Sequence, residues 1–178
     1  MRIVNYLNGI SYVENVVEGI DFNSVSYLKK EIVLGQNEIY DADFNIAKND
    51  ENLVLKTLFY KSIFNAISLY FKDNLLQASP LNFWTRSETH LVQFPGTENP
   101  QLKERCGNLV EGGYVILYFL DTITSGGSVG LPTQNFSINL QENSMIIFPS
   151  GQDYKYSINK IGENKERKFI EIVIDERI

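Results

Sequence analysis

Downstream of Pro80 the chain is written in short runs rich in β-branched, aromatic and aliphatic residues: "ETHLVQF", "GYVILYFLD", "FSINL", "SMIIFP", "YKYSINKI" and "RKFIEIVID". Gly, Pro, Asn or Ser bounds each run, which makes them strands rather than pieces of helix. Two of them, "VILYFL" (115–120) and "MIIF" (145–148), have too few polar alternates to leave one face in water. They must be central strands covered on both sides, and this requirement constrains the fold more than any other feature.

Something must cover one of those faces. From Asn52 to Phe71, "NLVLKTLFYKSIFNAISLYF" places Leu55, Phe59, Ile63, Ile67 and Phe71 on one stripe at helical spacing, behind the acidic "NDE" that suits a helix N-terminus. The pattern predicts a helix over about residues 52–72, packed on a sheet through Leu55, Phe59, Ile63 and Ile67. Residues 1–48 give only isolated strand signals, such as "VSYLKKEIVLG", between polar turns. No repeat or low-complexity linker divides the chain. The expectation is α+β and a single domain over 1–178, with 1–80 as mixed helical and strand support and 81–178 as a two-sheet β core.

Composition narrows the chemistry. A net charge of −6 and a pI near 4.9 disfavour nucleic acid as a partner, because phosphate neutralisation needs a basic stripe. One cysteine, Cys106, excludes an intrachain disulfide, and the start "MRIVNYLNGISYVENVV" has neither a signal-peptide pattern nor a membrane-spanning run. Histidine is the scarcest donor. His90 is the chain's only one, whereas the facial triad of non-haem iron enzymes requires two histidines and a carboxylate.

Tyr118-Phe119-Leu120-Asp121, then Gly126-Gly127-Ser128-Val129, then Phe148-Pro149-Ser150, then a strand and the final "RKFIEIVI" follow one another in a telling order. This order resembles the double-stranded β-helix (jelly-roll) barrel of the 2-oxoglutarate/Fe(II) oxygenases, and most closely the prolyl-4-hydroxylase-like members found in phages. In that family a strand ending Tyr-Leu-Asn leads to a Gly-Gly-Glu-Thr turn and a strand ending Phe-Pro-Ser. A distal histidine and an arginine that holds the cosubstrate carboxylate come next. The resemblance covers roughly the last half of the chain and implies a barrel with the long helix as its support. Each fragment also has a local reason: Gly126 and Gly127 permit positive φ in a tight turn, and Pro149 cannot donate to a ladder. A jelly roll without oxygenase ancestry, such as a cupin, would use the same devices.

The resemblance also shows what is missing. The family's His-x-Asp pair would fall near Lys103-Glu104-Arg105, and no His-x-Asp or His-x-Glu occurs between Pro80 and Tyr114. The distal histidine would fall at Tyr154 or Tyr156, with Tyr156 the better fit because "YSINKI" follows the family's His-Ser-Val-x-Pro-Val pattern. Lys103, Arg105 and Tyr156 therefore stand at degenerate triad positions, and no metal is expected there. Arg167, near the cosubstrate arginine's register, is a candidate vestigial carboxylate clasp, or else belongs to the solvated turn "NKERK". Strand alternation places Glu88 and His90 on one face, which is the alternative metal pair; the plainer reading is a half-buried histidine bonded to Glu88 or to backbone. Cys106 has no sequence partner that would make it a nucleophile.

These residues lead to the expectation of a non-catalytic oxygenase-like β-helix with no cofactor, its old pocket closed by tyrosine packing. Any cation at Lys103 or Arg105 would be paired to Glu104, Glu111 or Asp121. Such a protein works as a structural or binding module with a protein partner, in a multi-subunit assembly: a phage virion component, or an assembly or adaptor protein. Its expected location is the virion or host cytoplasm, and otherwise the cytoplasm. The alternatives are a divergent oxygenase using Fe(II) and 2-oxoglutarate in a reorganised site, and a cupin-like binder of small acids using Arg167 and the tyrosines.

Overall fold

The structure is a computed structural model that describes residues 1–18, 40–43, 53–74, 88–94, 113–159 and 167–174; for 40–43, 53–60, 88–94, 167, 168 and 173 it describes the backbone course. In chain order the elements are β1 (Arg2–Asn5), β2 (Ser11–Glu14), β3 (Tyr40–Asp43), α1 (Leu53–Asp73), β4 (Glu88–Phe94), β5 (Tyr114–Phe119), β6 (Val129–Leu131), β7 (Phe136–Ile138), β8 (Met145–Pro149), β9 (Ser157–Ile158) and β10 (Arg167–Ile174). They form a large sheet in the order β1-β2-β8-β5-β10-β4-β3 and a small sheet in the order β7-β6-β9. All of the described pairings are antiparallel.

The fully apolar runs lie at the middle of the large sheet, as their composition requires. Every residue of β5 is buried, and so are Met145 to Phe148 of β8. Alternation divides their side chains between two cores. On one face Tyr114, Ile116, Tyr118, Met145, Ile147, Ile170, Ile172 and Ile174 meet α1 through Ile63, Ala66, Ile67, Tyr70 and Phe71. The buried helix positions follow the i, i+3, i+4, i+7, i+8 rule of an amphipathic helix, so the stripe read from sequence is right at Ile63, Ile67 and Phe71 and gains Ala66 and Tyr70. The side chains of Leu55 and Phe59 lie outside the described residues.

On the other face Val115, Leu117, Phe119, Ile146, Phe148 and Phe169 meet the small sheet and its flanks through Val129, Leu131, Leu140, Tyr156 and Ile158. The result is a helix, a large sheet and a small sheet in three layers. The sheets were expected within 81–178, yet β1, β2 and β3 extend the large sheet at both of its described edges. The first two are four-residue strands separated by a turn in which Asn8 adopts a left-handed conformation (φ 61°), too short to show a period of two. The run "YKYSINKI" also contracts: Gln152–Tyr154 form a single 3₁₀ turn, and only Ser157–Ile158 are strand. The segment "VSYLKKEIVLG" lies outside the described residues.

Turn chemistry follows the sequence closely. Gly126 and Gly127 both have positive φ, at 73° and 67°, and Asn15, Asn135 and Asn143 adopt the same left-handed region, which asparagine tolerates best among non-glycine residues.

Candidate functional site

The space between the two sheets is where an oxygenase-like barrel would carry its chemistry. Register across the large sheet determines which residues share that face, because directly opposed residues of an antiparallel ladder lie on the same side. One row runs Asp43, His90, Glu171, Leu117, Ile146 and Tyr12. The neighbouring row runs Asp41, Val92, Phe169 and Phe119. Leu117, Ile146, Phe119 and Phe169 belong to the core against the small sheet, so both rows lie on the inner face.

Tyr156 immediately precedes β9 and is fully buried. Its ring stands edge-on to Phe148 (centroids 5.8 Å, 66°) and to Phe169 (6.5 Å, 71°), and Phe169 in turn lies 5.2 Å from Phe119. These four rings, from β5, β8, β10 and the start of β9, pack together in the core between the sheets. Tyr154, two residues earlier, is half-buried at the margin of the same core: its hydroxyl donates to the Asn8 carbonyl at 2.9 Å, and partial burial raises its pKa. The Gln152–Tyr154 turn, which starts at Gly151 with φ 124°, separates the fates of the two tyrosines.

Arg167 opens β10 opposite Phe94, and alternation puts its position on the inner face with Phe169 and Glu171; its side chain lies outside the described residues. Glu88 and His90 occupy the inner face of β4, while Thr89, Leu91 and Gln93 occupy the helix-facing side. Lys103, Glu104, Arg105, Cys106 and Glu111 lie outside the described residues, and Asp121 is half-buried just beyond β5. Glu171 was not singled out from sequence. It is a carboxylate only 3% exposed, and the available signal was an acid at a core position of the apolar run "FIEIVI". Asp43 was missed because its short strand carries no periodic signal.

The two-histidine iron triad does not fit this chain. A single histidine exists to supply it, and Tyr156, the expected counterpart of the distal ligand, is a tyrosine packed against phenylalanines. Among the residues whose side chains are described, no group of three or more His, Cys, Asp and Glu is placed to hold an ion. No helix among the described residues is long and apolar enough to cross a membrane.

No protein-family model and no curated protein matches the chain. Solved structures do. The viral collagen prolyl hydroxylase of Paramecium Bursaria Chlorella virus-1, in its 2OG complex, superposes with a TM-score of 0.60 at 8% identity, over 94% of this chain and 96% of that one. A prolyl-4-hydroxylase of Pseudomonas putida gives 0.55 at 12% identity over 97% and 95%. EvdO2 of Micromonospora carbonacea var. aurantiaca gives 0.58 at 12% identity over 94% and 86%. At these identities the likeness is one of architecture: the chain shares the fold of prolyl hydroxylase-like oxygenases, as the order of its C-terminal strands and turns implied.

Proposed function

We propose that this chain is a binding module on an oxygenase fold, and that it does not carry out the two-histidine Fe(II)/2-oxoglutarate reaction. One observation carries the reading: Tyr156, at the position the resemblance gives to the distal metal ligand, is fully buried and packed against Phe148 and Phe169. A neutral phenol among rings supplies neither a good Fe(II) ligand nor room for a cosubstrate. The frame is then a closed, rigid scaffold whose work lies on its outer surface, with a protein partner in a larger assembly. A phage particle or its assembly machinery is the setting we favour, consistent with a similar fold in a viral protein.

The test is turnover. Purified chain supplied with Fe(II), ascorbate and 2-oxoglutarate is expected to form succinate no faster than protein-free controls. Succinate above that background, abolished by chelator, would sink the reading. It would favour the second one, a divergent oxygenase with a reorganised site, which draws its support from His90 and Glu171 standing opposite each other on the inner face.

A further inference from the structure

Among the described residues the exposed large apolar side chains are Tyr6, Leu7 and Leu69, and all three flank one sheet edge. β1 stands last in the large sheet and, among the described residues, pairs on one side only, with β2. Tyr6 and Leu7 follow directly from its end. Leu69 lies one helical turn before Asp73 on the same flank of α1. That flank faces β1, because the Asp73 carboxylate accepts a hydrogen bond from the Asn5 side-chain amide at 3.3 Å.

Backbone pairing leaves alternate residues of β1 pointing outward. The Tyr6 N–H donates to the Ile10 carbonyl at 2.8 Å, and bonded pairs in an antiparallel ladder recur at every second residue, so Val4 exchanges bonds with Tyr12 and Arg2 with Glu14. The N–H and C=O groups of Ile3 and Asn5 therefore face the outer edge. Proteins commonly blunt such an edge with lysine or proline, and "RIVN" contains neither. Side chains alternate as well: Ile3 packs toward α1, while Arg2, Val4 and Tyr6 share the inner side, where the Tyr6 ring meets Phe136 edge-on at 5.0 Å.

We propose that β1 is a dimerisation strand, which pairs antiparallel with β1 of a second copy of this chain about a two-fold axis at Val4 and joins two large sheets into one. A two-fold axis perpendicular to the sheet opposes residues of the same face, so the register must centre on a single residue. With Val4 at the centre, the outward groups of Ile3 meet those of the partner's Asn5, and Arg2 stands opposite the partner's Tyr6. A centre at Ile3 would set the two Arg2 side chains on a diagonal of about 7–8 Å and leave both Tyr6 rings exposed. Arg2 is available for the contact, since its side chain is 74% exposed and its ion pair with Glu14 is long, at 3.8 Å. A guanidinium over a half-exposed tyrosine ring is an attractive cation–π pair. On the opposite face the axis brings together the two α1 flanks that carry Leu69. A pairing of four-residue strands is a small interface, and these flanking side chains supply apolar area that the edge itself lacks. The proposal stands whether or not the chain turns over 2-oxoglutarate.

The experiment uses the full chain in sedimentation velocity over a concentration series, with hydrogen exchange read at each concentration. A monomer–dimer equilibrium is expected, with exchange at the Ile3 and Asn5 amides slowing as the dimer forms. Leu69→Lys, on the exposed helix flank, and Arg2→Glu should each weaken association by at least about tenfold. In a Cys106→Ser background, Val4→Cys should give a disulfide-linked dimer on mild oxidation, because opposed Cα atoms of a non-bonded pair are about 4.5 Å apart. Arg2→Cys, about 13 Å along the strand from its counterpart, should not. A chain that sediments as a monomer throughout, exchange at Ile3 and Asn5 that ignores concentration, or association untouched by both Leu69→Lys and Arg2→Glu overturns the proposal. So does cross-linking of Arg2→Cys in place of Val4→Cys. Succinate formation, which tests the binding-module reading, is independent of each of these outcomes.

Discussion

Tyr156 and Tyr154 differ in fate by a single turn. In an unbroken strand, residues two apart share a face, so the run "YKYS" would send both rings the same way. The 3₁₀ turn at Gln152–Tyr154 resets the alternation, and the chain enters β9 with Tyr156 fully buried and Tyr154 half-buried at the core's margin. No periodicity argument could have separated them, because the turn is set by Gly151 at φ 124° and not by any hydrophobic pattern. Tyr156→Ala leaves a ring-sized void between Phe148 and Phe169 and is expected to cost about 3–5 kcal/mol, read from urea denaturation. Tyr154→Ala removes a partly exposed ring and one hydrogen bond to Asn8, and in the same assay should cost about 1 kcal/mol.

Asn143 shows how one residue can fix the position of several elements. It adopts φ 60° just before β8; its N–H donates to the Phe119 carbonyl at 3.0 Å and its own carbonyl accepts from Val16 at 3.1 Å. Its side-chain amide clasps Val17 in both directions: the Val17 N–H donates to Oδ1 at 2.9 Å and Nδ2 donates to the Val17 carbonyl at 2.9 Å. The Tyr118 hydroxyl donates to the same Oδ1 at 3.2 Å. The end of β2, the end of β5 and the start of β8 are thus locked together. Asn143→Ala removes the clasp and strains the left-handed backbone, an expected loss of about 2–4 kcal/mol. Asn143→Gly relieves the strain alone and should be milder. Hydrogen exchange at Val17 checks both, with faster exchange in each. Elements of this kind limited what the sequence could reveal. The long apolar runs announced β5, β8 and β10 because burial on both faces leaves a compositional mark. Val129–Leu131 did not announce β6, since three residues with Gly130 in the middle are too few to show one, and Arg2–Asn5 was hidden in the same way.

At the scale of the whole molecule, covering the large sheet on both faces places phenols deep within it. Burial holds the Tyr70 and Tyr118 hydroxyls well above the usual tyrosine pKa of 10.0. The Tyr70 hydroxyl donates to the Gly9 carbonyl at 2.7 Å, so its neutral form also ties α1 to the first hairpin. An unfolded chain loses these protons near pH 10.0 while the folded chain keeps them, so their contribution to stability is complete below that pH and is lost as pH rises toward the folded values. The urea midpoint is therefore expected to fall between about pH 9.5 and 11.5, and Tyr118→Phe should make that fall shallower. The layered plan itself was legible, because a fully apolar strand and an amphipathic helix each demand a partner. The rows of the inner face were less so. Asp43, His90 and Glu171 are far apart in sequence and become neighbours only through the register of three strands.

The pairing of β2 with β8 joins Ser11 to Ile147, and that link has a consequence for how the chain is made. A ribosome adding about 5–20 residues each second releases the first hairpin on the order of ten seconds before the strand that must receive it exists. A two-stranded hairpin is barely stable alone in water, so Ile10, Val13, Val16 and Val17 spend that interval without the core that later encloses them. The central strands β5 and β8 close the molecule late, and β10 later still, because its place in the sheet lies between β5 and β4. Completion of the large sheet thus waits until synthesis has passed β10. A chaperone that shields the N-terminal segment during elongation would raise its yield without altering the native state.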